Sequence, residues 1–179
     1  MAEKREYRVA ELEVIETTPD AIASGSMDDE IRNRMLKTIE TEGPILESLL
    51  YKRVIYSLSL KKVGSRILPV FERIAASLPV RITEDGKERL FHKDDEEECF
   101  RPTPDSSIRY SYQIPTEEAV QCIQYILQHE NRILTKSELS KLFKKELGYD
   151  RMGAKVDELF KRAAKSPDIK RTGNGRFTI

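Results

Sequence analysis

Apolar and polar positions in the first half of the chain recur first with a helical period and then with a strand period. The first apolar stripe predicts a helix with Ser26 as its N-cap and Glu42-Gly43-Pro44 as its end. The same period predicts two more helices, over about 47–58 and 65–77. The alternation that begins at Val80–Thr83 then predicts a β-hairpin.

The second half of the chain predicts the same elements in the same order. Thr116 is a suitable cap for a first helix. Thr135 and Glu138 have the spacing of a capping box, which predicts the start of a second helix that ends at Gly148. A third helix follows, and Gly173-Asn174-Gly175 predicts the turn of a closing hairpin.

The two halves align as an internal repeat at an offset of 88 to 89 residues. Gly64 aligns with Gly153, and Phe71 aligns with Phe160. A repeat of this kind indicates one small folding unit that is used twice. Because Phe71 and Phe160 occupy the same position in the apolar stripe of the third helix, we expect both to lie at the centre of a core.

The order helix, short strand, helix, helix and hairpin is that of a winged helix-turn-helix. We therefore predict a mainly α fold with small β wings (α+β), built from tandem winged helix-turn-helix units. The predicted division is a lead-in segment at 1–27, a first unit at 28–92, an acidic, Pro-containing linker at 93–115 and a second unit at 116–179. Within the linker, the alternation at Arg109–Tyr112 is typical of a short strand.

The net charge of zero hides a strong segregation of charge along the chain. Residues 45–93 carry 10 basic and 5 acidic groups, and residues 132–179 carry 13 and 6. The segments that precede them are acidic, with 6 basic and 11 acidic groups in 1–44 and with 2 and 9 in 94–131. Each predicted unit thus has a basic body, which favours a polyanionic partner.

Basic residues fall on the solvent side of both third helices and on both hairpins. In a winged helix the third helix can enter a major groove while the hairpin touches the backbone. Cations at these places bind phosphates without reading the base sequence. The predicted nucleic-acid-binding residues are Lys62, Arg66, Arg73, Lys87, Arg89, Arg151, Lys155, Arg162, Lys165, Lys170, Arg171 and Arg176.

Candidate enzyme chemistry is weak along the whole sequence. No G-x-x-x-x-G-K-[ST] loop is present, and neither histidine neighbours a nucleophile motif. The acidic run Asp94–Glu98 is typical of a solvated linker rather than a Mg²⁺ site. The spacings of His92 to Cys99 and of Cys122 to His129 do not match a zinc site. We expect no catalytic residue, no metal, no cofactor and no small-molecule substrate.

Membrane and secretion signals are also missing from the sequence. No apolar run approaches the roughly 20 residues that a membrane-spanning helix needs. The first residues contain no apolar stretch of the kind that marks a signal peptide. Two distant cysteines do not form a disulfide framework, so we expect a cytoplasmic protein with no membrane partner.

Three motifs resemble a known family. They are Glu42-Gly43-Pro44-Ile45, Gly64-Ser65-Arg66-Ile67 and Ile114-Pro115-Thr116-Glu117-Glu118. They resemble a domain of unknown function found in bacteria and archaea, at the C-terminal end of large superfamily-one helicase-like proteins and usually after a Vsr-like endonuclease domain. The second repeat departs from this pattern, because Gly153-Ala154-Lys155-Val156 stands in place of Gly-Ser-Arg-Ile. The resemblance implies a nucleic-acid-processing setting and supplies no catalytic residue.

These observations lead to one functional hypothesis and one alternative. The chain is expected to be a non-catalytic accessory module of a helicase or nuclease system that binds nucleic acid, with duplex DNA favoured over RNA. The alternative is a protein-interaction module that docks a helicase or nuclease domain in cis or in trans. Basic residues on a solvated helix face also serve solubility, so the charge pattern by itself leaves both open.

Overall fold

The structure, a computed structural model, describes residues 1–103, 105 and 108–179 and is an α+β fold. None of the helices in these ranges is long and apolar enough to cross a membrane. In chain order the elements are β1 (Glu3–Lys4), α1 (Pro19–Ala23), α2 (Asp28–Glu42), β2 (Ile45–Leu46), α3 (Glu47–Ser57), α4 (Leu68–Ala76), β3 (Ile82–Asp85), β4 (Glu88–Phe91), β5 (Cys99–Phe100), a 3₁₀ helix (Ser111–Gln113), α5 (Thr116–Glu130), α6 (Lys136–Leu147), α7 (Ala154–Ala164), β6 (Lys170–Arg171) and β7 (Phe177–Thr178).

The chain forms two compact units. One consists of Arg8–Glu96 and is called the α4 unit below. The other combines Met1–Tyr7 with Glu97–Ile179 and is called the α7 unit. These boundaries differ from the predicted ones, because the lead-in segment is divided between the units and most of the predicted linker belongs to the α7 unit.

In the α4 unit, strands and helices enclose one apolar core. β2, β4 and β3 form an antiparallel sheet in that order, in which Ile45 pairs with Phe91. Phe71 of α4 is fully buried, as predicted, and its ring meets that of Tyr51 edge-on at 5.4 Å. The turn between β3 and β4 is a two-residue hairpin loop that begins with Gly86 at φ +63°. Glycine at this first position is typical of a type II′ turn.

Two predicted helix starts in the α4 unit were wrong. Ser26 does not cap α2, since Met27 occupies the N-cap position and makes no side-chain cap bond. An additional helix, α1, precedes it and is capped by Thr18, whose hydroxyl accepts a hydrogen bond from the Ala21 amide. The third helix begins only at Leu68, because the residues before it form a turn closed by a hydrogen bond from the Ile67 amide to the Gly64 carbonyl.

The α7 unit has a second apolar core around α5, α6 and α7. Phe160 is fully buried there, as predicted, and its ring lies 5.3 Å from that of Phe143. β6 and β7 pair as an antiparallel hairpin, and Leu134 bridges to Phe177 next to it. β1 pairs in parallel with β5 through Glu3 and Cys99, so the first residues of the chain complete this unit.

The capping signals of the second repeat were mostly confirmed. Thr135 and Glu138 exchange the two bonds of a capping box, at 3.2 and 2.8 Å. Gly148 ends α6 in the left-handed region at φ +89°. Thr116, in contrast, is the first residue of α5 rather than its cap, and Pro115 takes the cap position without a side-chain bond.

The described residues of the segment before α5 make buried contacts within the α7 unit. The predicted strand at Arg109–Tyr112 is instead a 3₁₀ helix over Ser111–Gln113. Arg101 and Arg109 are buried and both donate to the fully buried carboxylate of Glu118, with N–O distances of 2.9 Å. This carboxylate therefore fastens the segment to α5. Pro104, Ser106 and Ser107, which belong to the predicted linker, lie outside the described residues.

Candidate nucleic-acid interface

Helix α7 turns one face to the core and the other to solvent. Val156, Leu159, Phe160 and Ala163 are buried at helical spacing. The remaining positions include Lys155, Lys161, Arg162 and Lys165, all of which are exposed. The solvent face of α7 is therefore cationic, because its apolar positions are buried and several of its exposed positions are Lys or Arg.

Ion pairs on α7 occupy some of these cations but not all. Lys155 lies 3.3 Å from the carboxylate of Glu158. Lys161 lies 2.8 Å from that of Asp157, and this hydrogen bond raises the pKa of Lys161. Lys165, at the C-terminal end of the helix, has no ion pair within the described part of the chain.

The β6–β7 hairpin presents further cations, of which Arg171 contacts the end of α7. Its pairing places Lys170 opposite Thr178 and Arg171 opposite Phe177. The loop between the strands contains Gly175 at φ +72°, and the Thr172 amide donates to the Arg176 carbonyl. Lys170 and Arg176 are exposed, and neither forms an ion pair among the described residues.

Two predicted site residues in this unit also donate hydrogen bonds within the unit. The Arg171 guanidinium donates to the Ala164 carbonyl at 2.6 Å and lies over the Phe177 ring at 5.0 Å. Arg162 donates to the Thr116 hydroxyl at 2.7 Å. Both are exposed, yet substitution of either would disturb internal contacts as well as surface charge. Arg151 is exposed in the turn before α7 rather than on the helix.

In the α4 unit, acidic partners neutralise most of the corresponding cations. Arg66 lies 2.5 Å from Asp20, and Arg73 lies 2.9 Å from Asp28. Such exposed pairs add little stability, but they lower the local positive potential.

Arg89 of the α4 unit is also engaged by its neighbours. It is only partly exposed, because it pairs with Glu47 and donates to the Tyr51 hydroxyl at 3.0 Å. Glu47 raises the pKa of Arg89, and burial raises the pKa of Tyr51. Lys62 and Lys87 remain exposed.

A cleft beside the α4-unit hairpin has the opposite charge balance to the α7 surface. It has a volume of about 620 Å³ and is lined by Glu47, Glu72, Gly86, Glu84, Lys87, Glu88 and Arg89. Four carboxylates against two cations do not attract a phosphate backbone. The structure therefore places the predicted residues on two chemically different surfaces, and the unpaired cations lie mainly in the α7 unit.

Two exposed aromatic residues were not recognised as a surface feature from the sequence. Tyr110 and Tyr112 flank the first residue of the 3₁₀ helix, which packs against α7. Their sequence signal, the alternation Arg-Tyr-Ser-Tyr, predicted a strand, and a strand would also have put both rings on one side.

The Glu-Gly-Pro-Ile motif is explained by folding rather than by binding. Glu42 is fully buried, where its carboxylate accepts hydrogen bonds from Arg53 and from the Ala10 amide. A Cβ at Gly43 would lie 3.0 Å from the backbone nitrogen of Lys93, so only glycine fits there without a shift. These residues join the ends of the α4 unit and do not lie on the cationic surface.

Comparison with known proteins adds one finding. Residues 20–68 match the model of a family described as "Protein of unknown function (DUF3320)". The match covers α1 from its second residue, then α2, β2, α3 and the first residue of α4. It includes the first two of the three motifs that suggested a domain of unknown function. No curated protein and no solved structure matches the chain.

Proposed function

We propose that this chain is a non-catalytic nucleic-acid-binding module whose principal interface is the α7 unit. The observation that carries the proposal is that three exposed cations have no ion pair among the described residues: Lys165 at the C-cap of α7, and Lys170 and Arg176 on the β6–β7 hairpin. Cations in this arrangement neutralise phosphates of a nucleic-acid backbone, and duplex DNA is the favoured ligand.

The order and pairing of the elements support a winged-helix arrangement in each unit. In the α4 unit the short strand β2, which follows the first long helix, pairs with the hairpin strand β4. In the α7 unit Leu134 takes the same place and bridges to Phe177 of the hairpin. In such an arrangement the third helix and the hairpin together form the surface that meets nucleic acid. The resemblance to helicase-associated proteins supports an accessory role, in which another domain performs the chemistry.

The test is a salt titration of binding to a short DNA duplex. If four phosphates are neutralised, the slope of log K against log salt concentration is on the order of −3.6. Reversing three charges in the variant Lys165→Glu, Lys170→Glu, Arg176→Glu should remove most binding and flatten the slope by about 2.7. These three residues are preferable to Arg162 and Arg171, whose side chains bond within the unit.

A matched control makes the same change in net charge on the other unit. The variant Lys61→Glu, Lys62→Glu, Lys87→Glu replaces three exposed lysines of the α4 unit. We expect it to bind duplex nearly as tightly as the parent. An equal loss in both variants would show that overall charge, and not the α7 surface, governs the interaction. No binding by the parent at low salt would contradict the proposal.

The acidic cleft of the α4 unit favours a second candidate function, the docking of a helicase or nuclease domain. Leu68, which is 38% exposed, and Pro69 extend the exposed face of α4 that carries Glu72. A partner for this face would need basic groups. The variant Glu72→Lys, Glu84→Lys should abolish capture of such a domain while leaving binding to DNA intact.

A further inference from the structure

Tyr110 and Tyr112 form an exposed aromatic surface in the α7 unit. Their rings stack with a centroid separation of 5.5 Å and an interplanar angle of 11°. The two residues are 41% and 50% exposed, although large aromatic side chains are usually buried. A parallel pair of this kind offers flat ring faces to a planar ligand.

The backbone beneath the two rings is fixed by buried contacts. Arg109, Ser111 and Gln113 are all buried, and they alternate with the two exposed tyrosines. The Tyr110 amide donates to the Gln113 side-chain oxygen at 2.8 Å, and the Tyr149 hydroxyl donates to the Arg109 carbonyl at 2.9 Å. The rings are therefore presented by a rigid turn. Stacking of a ligand on them costs little conformational entropy of the protein.

The aromatic pair belongs to a segment that packs against the cationic helix. The 3₁₀ helix Ser111–Gln113 packs against α7, and Thr116, a few residues later, accepts a hydrogen bond from Arg162 of α7. Aromatic faces next to a basic groove are the combination by which proteins hold single strands, with bases on the rings and phosphates on the cations. Bases inside a duplex are already stacked on each other and cannot reach such rings.

We propose that the α7 unit binds single-stranded nucleic acid, with Tyr110 and Tyr112 as a stacking platform for unpaired bases. The inference rests on the proposed function, because the cations of α7 and its hairpin would hold the backbone of the same strand. It goes beyond that function by adding a second ligand structure: a strand with accessible bases, which the rings hold by stacking while the cations hold its backbone.

The experiment compares a labelled single strand of about 16 nucleotides with the matching duplex, by fluorescence anisotropy at low salt. The double variant Tyr110→Ala, Tyr112→Ala should bind the single strand at least about 5-fold more weakly for each base that stacks, and should bind the duplex like the parent. The variant Tyr110→Phe, Tyr112→Phe should bind like the parent, because the ring faces remain.

Tyr56 provides a matched control for loss of an exposed ring. It lies on α3 of the α4 unit and is 52% exposed. Tyr56→Ala should leave binding to both ligands unchanged. The chain has seven tyrosines and no tryptophan, so tyrosine emission can report on stacking directly. The single strand should quench emission of the parent, and quenching should be reduced in the double alanine variant.

The outcomes separate this inference from the proposed function. If the parent binds both ligands and the double alanine variant binds the single strand equally well, the platform is refuted and the cationic interface stands. The tyrosines would then belong to a surface for a protein partner. Binding of duplex alone would also refute the platform. If the parent binds neither ligand, both proposals fail.

Discussion

At the scale of residues, the α7 unit contains a buried ion cluster. Arg101 and Arg109 both bind the carboxylate of Glu118, and the side chains of all three are at most 8% exposed. The Tyr7 ring lies 4.1 Å from the Arg109 guanidinium and offers its electron-rich face to the second positive charge. Glu118 of the Ile-Pro-Thr-Glu-Glu motif therefore has a structural role, as the buried partner of both arginines.

Substitution of Glu118 should be among the most damaging changes in this chain. Glu118→Gln removes the carboxylate that both buried arginines bind, and loss of one partner of a buried pair costs about 3–5 kcal/mol of unfolding free energy. Urea denaturation of the variant should show this loss. Glu158→Gln, which breaks an exposed pair with Lys155, should cost no more than about 1 kcal/mol. Equal stability of the two variants would contradict the buried cluster.

The same carboxylate makes stability depend on acid pH. Although burial by itself raises the pKa of Glu118, the two arginines outweigh it and lower that pKa from 4.5 to about 2. Because the pKa is lower in the folded state, the contribution is complete above pH 4.5 and is lost as the pH falls towards 2. Denaturation midpoints of the parent should fall across this range. The difference between the parent and Glu118→Gln should shrink across the same range.

At the scale of elements, the end of α6 shows how a helix cap and a tertiary contact depend on one glycine. Gly148 has φ +89°, a conformation that side chains with a Cβ rarely adopt. A Cβ at this position would also lie 2.5 Å from the Thr103 carbonyl oxygen. The Thr103 amide donates to the Leu147 carbonyl at 3.0 Å, so the helix end is held against the segment that precedes α5.

Gly148→Ala should therefore cost more than an ordinary glycine substitution. The left-handed conformation alone costs about 1–2 kcal/mol, and the backbone contact adds to this. Gly173→Ala is a suitable control, because its backbone is not left-handed and a Cβ there would meet nothing within 4 Å. We expect the control to change unfolding free energy by about 0.5 kcal/mol or less in urea denaturation. Similar losses in both variants would contradict this account.

At the scale of the whole molecule, the α4 unit is an insertion within the α7 unit. The chain leaves the α7 unit after Tyr7 and returns at Glu97. Parallel pairing joins Glu3 to Cys99, and Arg5 lies 3.0 Å from Glu97, so the exit and return points are close together. A short connection could therefore replace the inserted unit without separating β1 from β5.

Replacing Arg8–Glu96 with a short Gly/Ser linker should leave a folded α7 unit. Among the described residues, the apolar cluster of that unit runs from Phe100 to Phe177, and β1 and Tyr7 remain available to complete it. The shortened chain should unfold in one cooperative transition and retain nucleic-acid binding. A further Tyr7→Ala change should lower its stability, since Tyr7 covers the buried arginines. A shortened chain without cooperative unfolding would refute this topology.

The sequence alone determined the elements whose signals are local. Phe71 and Phe160 could be placed in the cores because helical spacing fixes which side chains share a face. The Thr135–Glu138 box and the ends of α6 and of the last hairpin also follow from a few neighbouring residues. The cationic character of α7 was predictable for the same reason.

Only the tertiary structure decided how distant residues combine. Met1–Tyr7 belongs to the same unit as the residues from Glu97 onward, because β1 pairs with β5 and Tyr7 covers Arg109. These contacts span more than half of the chain, and no local sequence pattern encodes them. Partners distant in sequence likewise decide which cations remain unpaired: Asp20 engages Arg66, whereas Lys170 of the α7 unit has no ion pair among the described residues. Charge can be counted from the sequence, but its neutralisation depends on distances that folding sets.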